Sequence, residues 1–314
     1  MRQIEISGNQ GGQRFDKFLQ KYLKEATKSF IYKMLRKKNI TLNGKKAQGN
    51  EKINAGDTVV FFFSEETLQK FCGDSPENKG KHQADFPIIY EDDQILLINK
   101  PAGLLSQKAK PQDVSLVELV QQYVKGEPGF SPGICNRLDR NTSGIVVAGK
   151  TLAALQKMSE LFRTREVEKY YLAIVKGRMT EKKEVEGYLL KDEKKNKVTV
   201  SREEKKGSSY IKTGYEPLVW TKEMTLLRVH LMTGKPHQIR SHLSSLGHPV
   251  AGDAKYGGAH PGIRWQLLHA YELQFPGLEA PFERISGKTF CAPVPECFYG
   301  KNIPAEIIEK LKQY

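Results

Sequence analysis

The chain has 314 residues, 39% of them hydrophobic, enough for one large domain and a smaller one. Fifty Lys and Arg stand against 36 Asp and Glu, a formal charge of +14 that favours a polyanionic partner. Four cysteines, Cys72, Cys135, Cys291 and Cys297, are too few and too irregular for a disulfide framework. The first ten residues lack an apolar export segment and no run approaches a membrane span, so a cytoplasmic protein without membrane contact is expected.

Taken in order, residues 13–64 read as one compact unit. Phe15, Phe18, Leu19 and Tyr22 recur at i, i+3, i+4 and i+7, the spacing of an amphipathic helix. A second helix is expected from Ser29 as N-cap, with Ile31, Met34 and Leu35 facing inward. Between Arg14 and Lys46, eleven basic residues oppose only Asp16 and Glu25. Lys33, Arg36, Lys37 and Lys38 crowd the end of the second helix, more cations than its dipole needs. A solvated basic face is the bland reading; with Arg14 and Lys17, an RNA-binding face is the sharper one. Ile40-Thr41-Leu42 then runs into Asn43-Gly44, a tight-turn signal, and a strand is predicted over Thr58 to Phe63. Two short helices feeding a small β-element, with cations to one side, resemble the S4-like RNA-binding domain.

Residues 65–85 lose periodicity and gain Gly, Pro and charge, which predicts a flexible linker. From Phe86 to the end, strand and helix patterns alternate in an α+β domain with a mixed or antiparallel sheet. Strands are predicted at Ile88 to Tyr90, Ile95 to Ile98, Ile145 to Gly149, Tyr170 to Val175, Thr225 to Met232 and Trp265 to Phe275. Helices are predicted around Leu116 to Tyr123 and after Thr151, and a hairpin insertion within Thr180 to Gly207.

The chemistry concentrates in Asn136-Arg137-Leu138-Asp139-Arg140-Asn141-Thr142-Ser143-Gly144. Here an aspartate sits between two arginines in a loop that feeds an apolar strand, where reactive groups collect. Cations beside a carboxylate favour its ionised form, as a nucleophile or base requires. A surface Asp–Arg pair that supports a turn is the alternative.

This segment resembles the signature loop of the large-ribosomal-RNA pseudouridine synthases, the RluA/RluC/RluD-like family, with Asn136 in place of the usual histidine. Three further blocks resemble the family in its order: Asn99-Lys100-Pro101-Ala102-Gly103-Leu104, Lys169 to Gly177, and Leu231 to His242, where Lys235 replaces a more usual arginine. The resemblance implies that Asp139 starts cleavage of the uracil–ribose bond, that Tyr171 stacks on the target base, and that Arg240 pairs with Asp139. A flipped uridine needs such a stacking face. By periodicity alone Tyr171 could equally be sheet core, and Arg240, beside the inner face Ile239, Leu243 and Leu246, could be exposed. Arg137, Arg140, Lys235 and His237 are expected to contact RNA.

The implied reaction is an isomerisation: the base leaves through N1, turns, and rejoins through C5. It involves no redox step or phosphate energy, so neither cofactor nor metal is expected. The aspartate could add to the ribose, add to the ring, or remove a ribose proton. Six of the seven histidines lie between His230 and His269, yet no His-Glu-x-x-His or Cys-x-x-Cys spacing occurs. Ser286-Gly287-Lys288-Thr289 is not a P-loop, because Phe282 occupies the place of its required glycine. The loop Gly247 to Gly258 also resembles a family segment, with Asp253 and Lys255 as weaker contact candidates. An RNA isomerase acting as a monomer on ribosomal RNA, with transfer RNA the other candidate, is the leading expectation. A non-enzymatic RNA binder on the same fold is the alternative, and the joint presence of Asp139, Tyr171 and Arg240 argues against it.

Overall fold

The computed structural model describes residues 1–72, 86–124, 126–192 and 197–314. The N-terminal unit contains β1 (Arg2–Glu5), α1 (Phe15–Tyr22), α2 (Lys28–Arg36), β2 (Ile40–Leu42), β3 (Lys45–Lys46), β4 (Thr58–Phe61) and α3 (Glu65–Cys72). Its strands pair antiparallel in the order β1-β4-β2-β3. Asn43 and Gly44 adopt φ of 50° and 72°, the double left-handed geometry of a tight hairpin turn. The expected faces of both helices, Phe15, Phe18, Leu19 and Tyr22 with Ile31, Met34 and Leu35, fill one core.

Two expectations need correction here. The second helix begins at Lys28, and Thr27 rather than Ser29 caps it by accepting the Phe30 N–H. Residues 65–72 of the expected linker form α3, because Leu68 is buried in the N-terminal core and Phe71 packs on Phe30 at 4.3 Å. The rest of the expected linker, 73–85, lies outside the described residues.

The larger unit contains β5 (Ile88–Glu91), β6 (Ile95–Lys100), α4 (Leu116–Tyr123), β7 (Gly133–Ile134), β8 (Ser143–Gly149), α5 (Leu152–Thr164) and β9 (Glu168–Lys176). There follow β10 (Lys183–Asp192), β11 (Lys197–Ser201), β12 (Ser209–Trp220), β13 (Met224–Leu231), α6 (Gln238–Ser245), β14 (Leu268–Gln274), β15 (Thr289–Cys291) and α7 (Ala305–Leu311). Eleven of these strands form one mixed sheet, ordered β11-β10-β12-β13-β9-β14-β8-β6-β5, with β15 on β14 and β7 on β8. The pair β14–β8 is parallel and its neighbours are antiparallel. The expected insertion is the β10–β11 hairpin, whose residues 193–196 are not described.

Strand periodicity sorts the core onto two faces. On β9, Tyr171, Ala173 and Val175 join the cluster under α4 and α6, while Leu172 and Ile174 face the other side with α7. Every residue of β8 is buried, so the strand that follows the Asp139 loop is clamped from both faces. Gly144 must be glycine: its φ is 112°, and a Cβ there would lie 2.2 Å from the Ala270 carbonyl oxygen.

The two units meet at a polar seam. The side chains of Gln10 and Gln13 donate to the Pro128 and Gly129 carbonyls, and the Asn9 side chain accepts the Leu152 N–H at the start of α5. Among the described residues no helix is long and apolar enough to cross a membrane.

Candidate active site

The residues after β7 form a loop that the rest of the domain holds in place. Asn136 accepts the Val147 N–H at 2.8 Å and donates to the Ile145 carbonyl at 3.2 Å, so the residue that departs from the family pattern pins the loop to β8. Ser106 bonds both backbone groups of Leu138. Beneath them Lys100 is fully buried and donates its three ammonium protons to the Pro101, Leu104 and Arg140 carbonyls at 2.8–3.1 Å. Burial lowers this ammonium to about 7, with the Asp139 charge opposing.

Asp139, at the tip, is reached from α6. Arg240 donates Nη1 to Asp139 Oδ2 at 2.7 Å, and grips Asp253 with Nε and Nη2 at 2.7 and 2.9 Å. Its side chain is 7% exposed, so the reading of Arg240 as an exposed residue is corrected. Burial works against the guanidinium charge. The Asp253 hydrogen bonds and the charge of Asp139 more than offset it, and its pKa lies above the ordinary arginine value. Tyr171 belongs to the core cluster, as its strand periodicity allowed, and also lines the cleft beside Asp139. Burial, then the Asp139 charge, raise its phenol pKa, so it stays neutral.

These groups open onto a cleft of about 1130 Å³, lined among the described residues by ten Lys or Arg and two carboxylates, Asp139 and Asp253. Of the expected RNA contacts, Arg137, Arg140, Lys235 and His237 line it. Arg14, Lys17, Lys33, Arg36, Lys37 and Lys38 do not; they are exposed on the N-terminal unit, where Arg14 pairs with the buried Asp16. Residues passed over in the sequence also line the cleft: Lys108, Arg163, Arg165 and Arg264. Arg163 and Arg165 were legible as cations just ahead of the Lys169 block. Tyr256, under the Arg240 guanidinium at 5.1 Å, lies in the family-like loop Gly247 to Gly258, where the sequence singles out Asp253 and Lys255 instead.

The histidines between His230 and His269 are scattered over separate partners. His242 and His269 are buried, and burial lowers each to about 4. The His269 ring bonds Ser143 at 2.8 Å behind the Asp139 loop.

Known proteins agree with this architecture. The family model for RNA pseudouridylate synthase matches residues 94–245, and that for the S4 domain matches residues 13–59. Ribosomal large subunit pseudouridine synthase C of Vibrio vulnificus is 33% identical over 293 residues, covering 89% of this chain and 90% of that protein. The protein of the same name from Escherichia coli is 33% identical over 301 residues, covering 89% and 92%. The solved structure of Human RNA Pseudouridylate Synthase Domain Containing 4 shares the fold, with a TM-score of 0.57 at 23% identity over 72% of this chain and 92% of that one. The chain therefore belongs to the RNA pseudouridylate synthases, isomerases that act on RNA, and carries an S4 domain ahead of its catalytic one.

Proposed function

We propose that the protein isomerises selected uridines of large-subunit (23S) ribosomal RNA, with Asp139 starting the reaction. The observation that carries this reading is the carboxylate of Asp139, held by Arg240 at 2.7 Å beside Tyr171 in a cleft dense in cations. The substrate class rests on the relatives named for the ribosomal large subunit, which match nearly the whole chain.

In the proposed scheme a uridine leaves its stack and enters the cleft, and the Tyr171 ring offsets part of the lost stacking. Asp139 initiates cleavage of C1′–N1. The uracil turns in place, C1′–C5 forms, the C5 proton departs and N1 takes up a proton. Atoms balance without an oxidant. Arg240 aims the carboxylate, and Arg137, Arg140, Lys235 and His237 meet the RNA around the target. The N-terminal unit, 1–64 extended through Cys72 by α3, grips flanking RNA through Arg14, Lys17, Lys33, Arg36, Lys37 and Lys38. Residues 86–314 catalyse, and the protein works as a cytoplasmic monomer.

The test uses 23S ribosomal RNA and transfer RNA, each tritiated at uracil C5 and isolated from cells lacking the gene. Tritium release from the ribosomal RNA is expected. Release from transfer RNA alone would overturn the substrate class and leave the chemistry standing.

A further inference from the structure

Two residues at the cleft have no part in orienting Asp139 in that scheme. His237 caps the start of α6 with φ 54°, a left-handed conformation that a non-glycine residue holds only when its surroundings enforce it. Its Nε2 lies 4.0 Å from Asp139 Oδ2, and its Nδ1 lies 2.9 Å from the Tyr256 hydroxyl. That hydroxyl accepts the Val198 N–H of β11 at 3.0 Å. Tyr256 is itself buried, with the Arg240 guanidinium 5.1 Å and the Lys197 ammonium 5.4 Å from its ring centroid.

A hydroxyl that already accepts one N–H offers its own proton to its other neighbour, here Nδ1. Neutral imidazole then carries its proton on Nε2, the nitrogen that faces Asp139. Burial lowers the His237 pKa. The Asp139 and Asp253 charges oppose this, and the Arg240 and Lys255 charges reinforce it. Burial raises the Tyr256 phenol, so it remains a donor. Both Arg240 and His237 address Oδ2 of the carboxylate.

Building on the reading of Asp139 as the reacting group, we infer that His237 and Tyr256 are a positioning pair: Tyr256 fixes the His237 tautomer, and the Nε2–H so presented turns Asp139 to leave Oδ1 toward the uridine. At 4.0 Å this contact is longer than a hydrogen bond; such catalytic contacts tighten when the substrate is bound. The pair also ties the carboxylate to the β10–β11 hairpin through Val198.

Tyr256→Phe removes the hydroxyl and keeps the ring. In single-turnover assays at pH 7.5 the full-length variant should lose about 10-fold in rate, the loss of one orienting hydrogen bond, with RNA affinity within about twofold of the parent. The deficit should shrink as pH is lowered through the His237 pKa, which burial holds below the ordinary 6.5, because a protonated ring presents Nε2–H whichever nitrogen carried the proton before. A merely structural loss would not recover. His237→Gln, whose amide N–H sits near the Nε2 position, should retain more activity than His237→Ala. Parental rates for Tyr256→Phe at pH 7.5, a deficit that persists at pH values where the ring is protonated, or equal losses for the two His237 variants, would overturn the inference. Asp139→Asn run alongside separates the premises: activity in that variant sinks the role of Asp139, whereas its inactivity with an unimpaired Tyr256→Phe sinks only the pair.

Discussion

Replacing Arg240 by lysine keeps a positive charge in the cleft and removes the fork that spans two carboxylates. The arginine makes two bonds to Asp253 and one to Asp139, all of 2.7–2.9 Å. An ammonium is a point charge that cannot reproduce this bridge. Asp253 is 1% exposed and Asp139 24%, so the lysine should settle on the carboxylate that water cannot reach. Asp139 then loses a charge-assisted bond, worth about 1.5–3 kcal/mol. If that bond is fully expressed in the transition state, the rate falls about 10- to 150-fold. The lost half of the Asp253 grip should cost a similar amount of stability, lowering Tm by about 2–5 °C for a chain of this length. Arg240→Met, which strands both carboxylates, should cost about 3–5 kcal/mol. Single-turnover pseudouridine formation reads the rate, and thermal melting reads the stability. A lysine variant with a parental rate would refute the reasoning, since it would mean that Asp139 needs no geometric clamp.

Exchanging Lys33, Arg36, Lys37 and Lys38 for glutamine should flatten the dependence of log affinity on log salt by roughly 0.7–0.9 for every RNA phosphate these cations neutralise. An unchanged slope would mean that this exposed face does not meet RNA. Tyr171→Phe should keep most activity, and Tyr171→Ala should lose base stacking worth about 1–3 kcal/mol; two equally active variants would place the ring away from the base. His242 and His269 have folded pKa values of about 4 against 6.5 for the free side chain. The unfolded chain therefore binds more protons as pH falls. The stability they contribute is complete above about 6.5 and declines toward 4, by up to about 2.7 kcal/mol per pH unit where both differ fully. Denaturant titrations at pH 7.5 and 5.5 check this, and equal stabilities would contradict it.

The most legible parts of the sequence were those whose signal is local. The spacing of Phe15, Phe18, Leu19 and Tyr22 states a helix face, and Asn43-Gly44 states a turn, because each depends on neighbours a few residues away. The helix α3 was hidden because its charged stretch offers only Leu68, Phe71 and Cys72 to the core, and its order comes from packing on the N-terminal unit, Phe30 included. The strand β12 contains Gly214 and Pro217, which read as breakers; the register shift between Pro217 and Val219 accommodates the proline within the strand. The burial of Arg240 was invisible for another reason. Helical phase puts it to one side of the inner face, but its partners come from loops at Asp139 and Asp253. Lys100 likewise reads as a surface cation until the three carbonyls around it are brought together by the fold.

The central claim concerns one carboxylate, and one paired measurement reaches it. Asp139→Asn keeps the size of the side chain and an oxygen that Arg240 can still bond, while removing the negative charge with which the proposed mechanism begins. Tritium release from C5-labelled ribosomal RNA and the affinity for the same RNA are measured side by side. The expected result is no release above background in single turnover, with affinity within a few-fold of the parent. Release at a parental rate would contradict the assignment of Asp139, however well its surroundings suit the role.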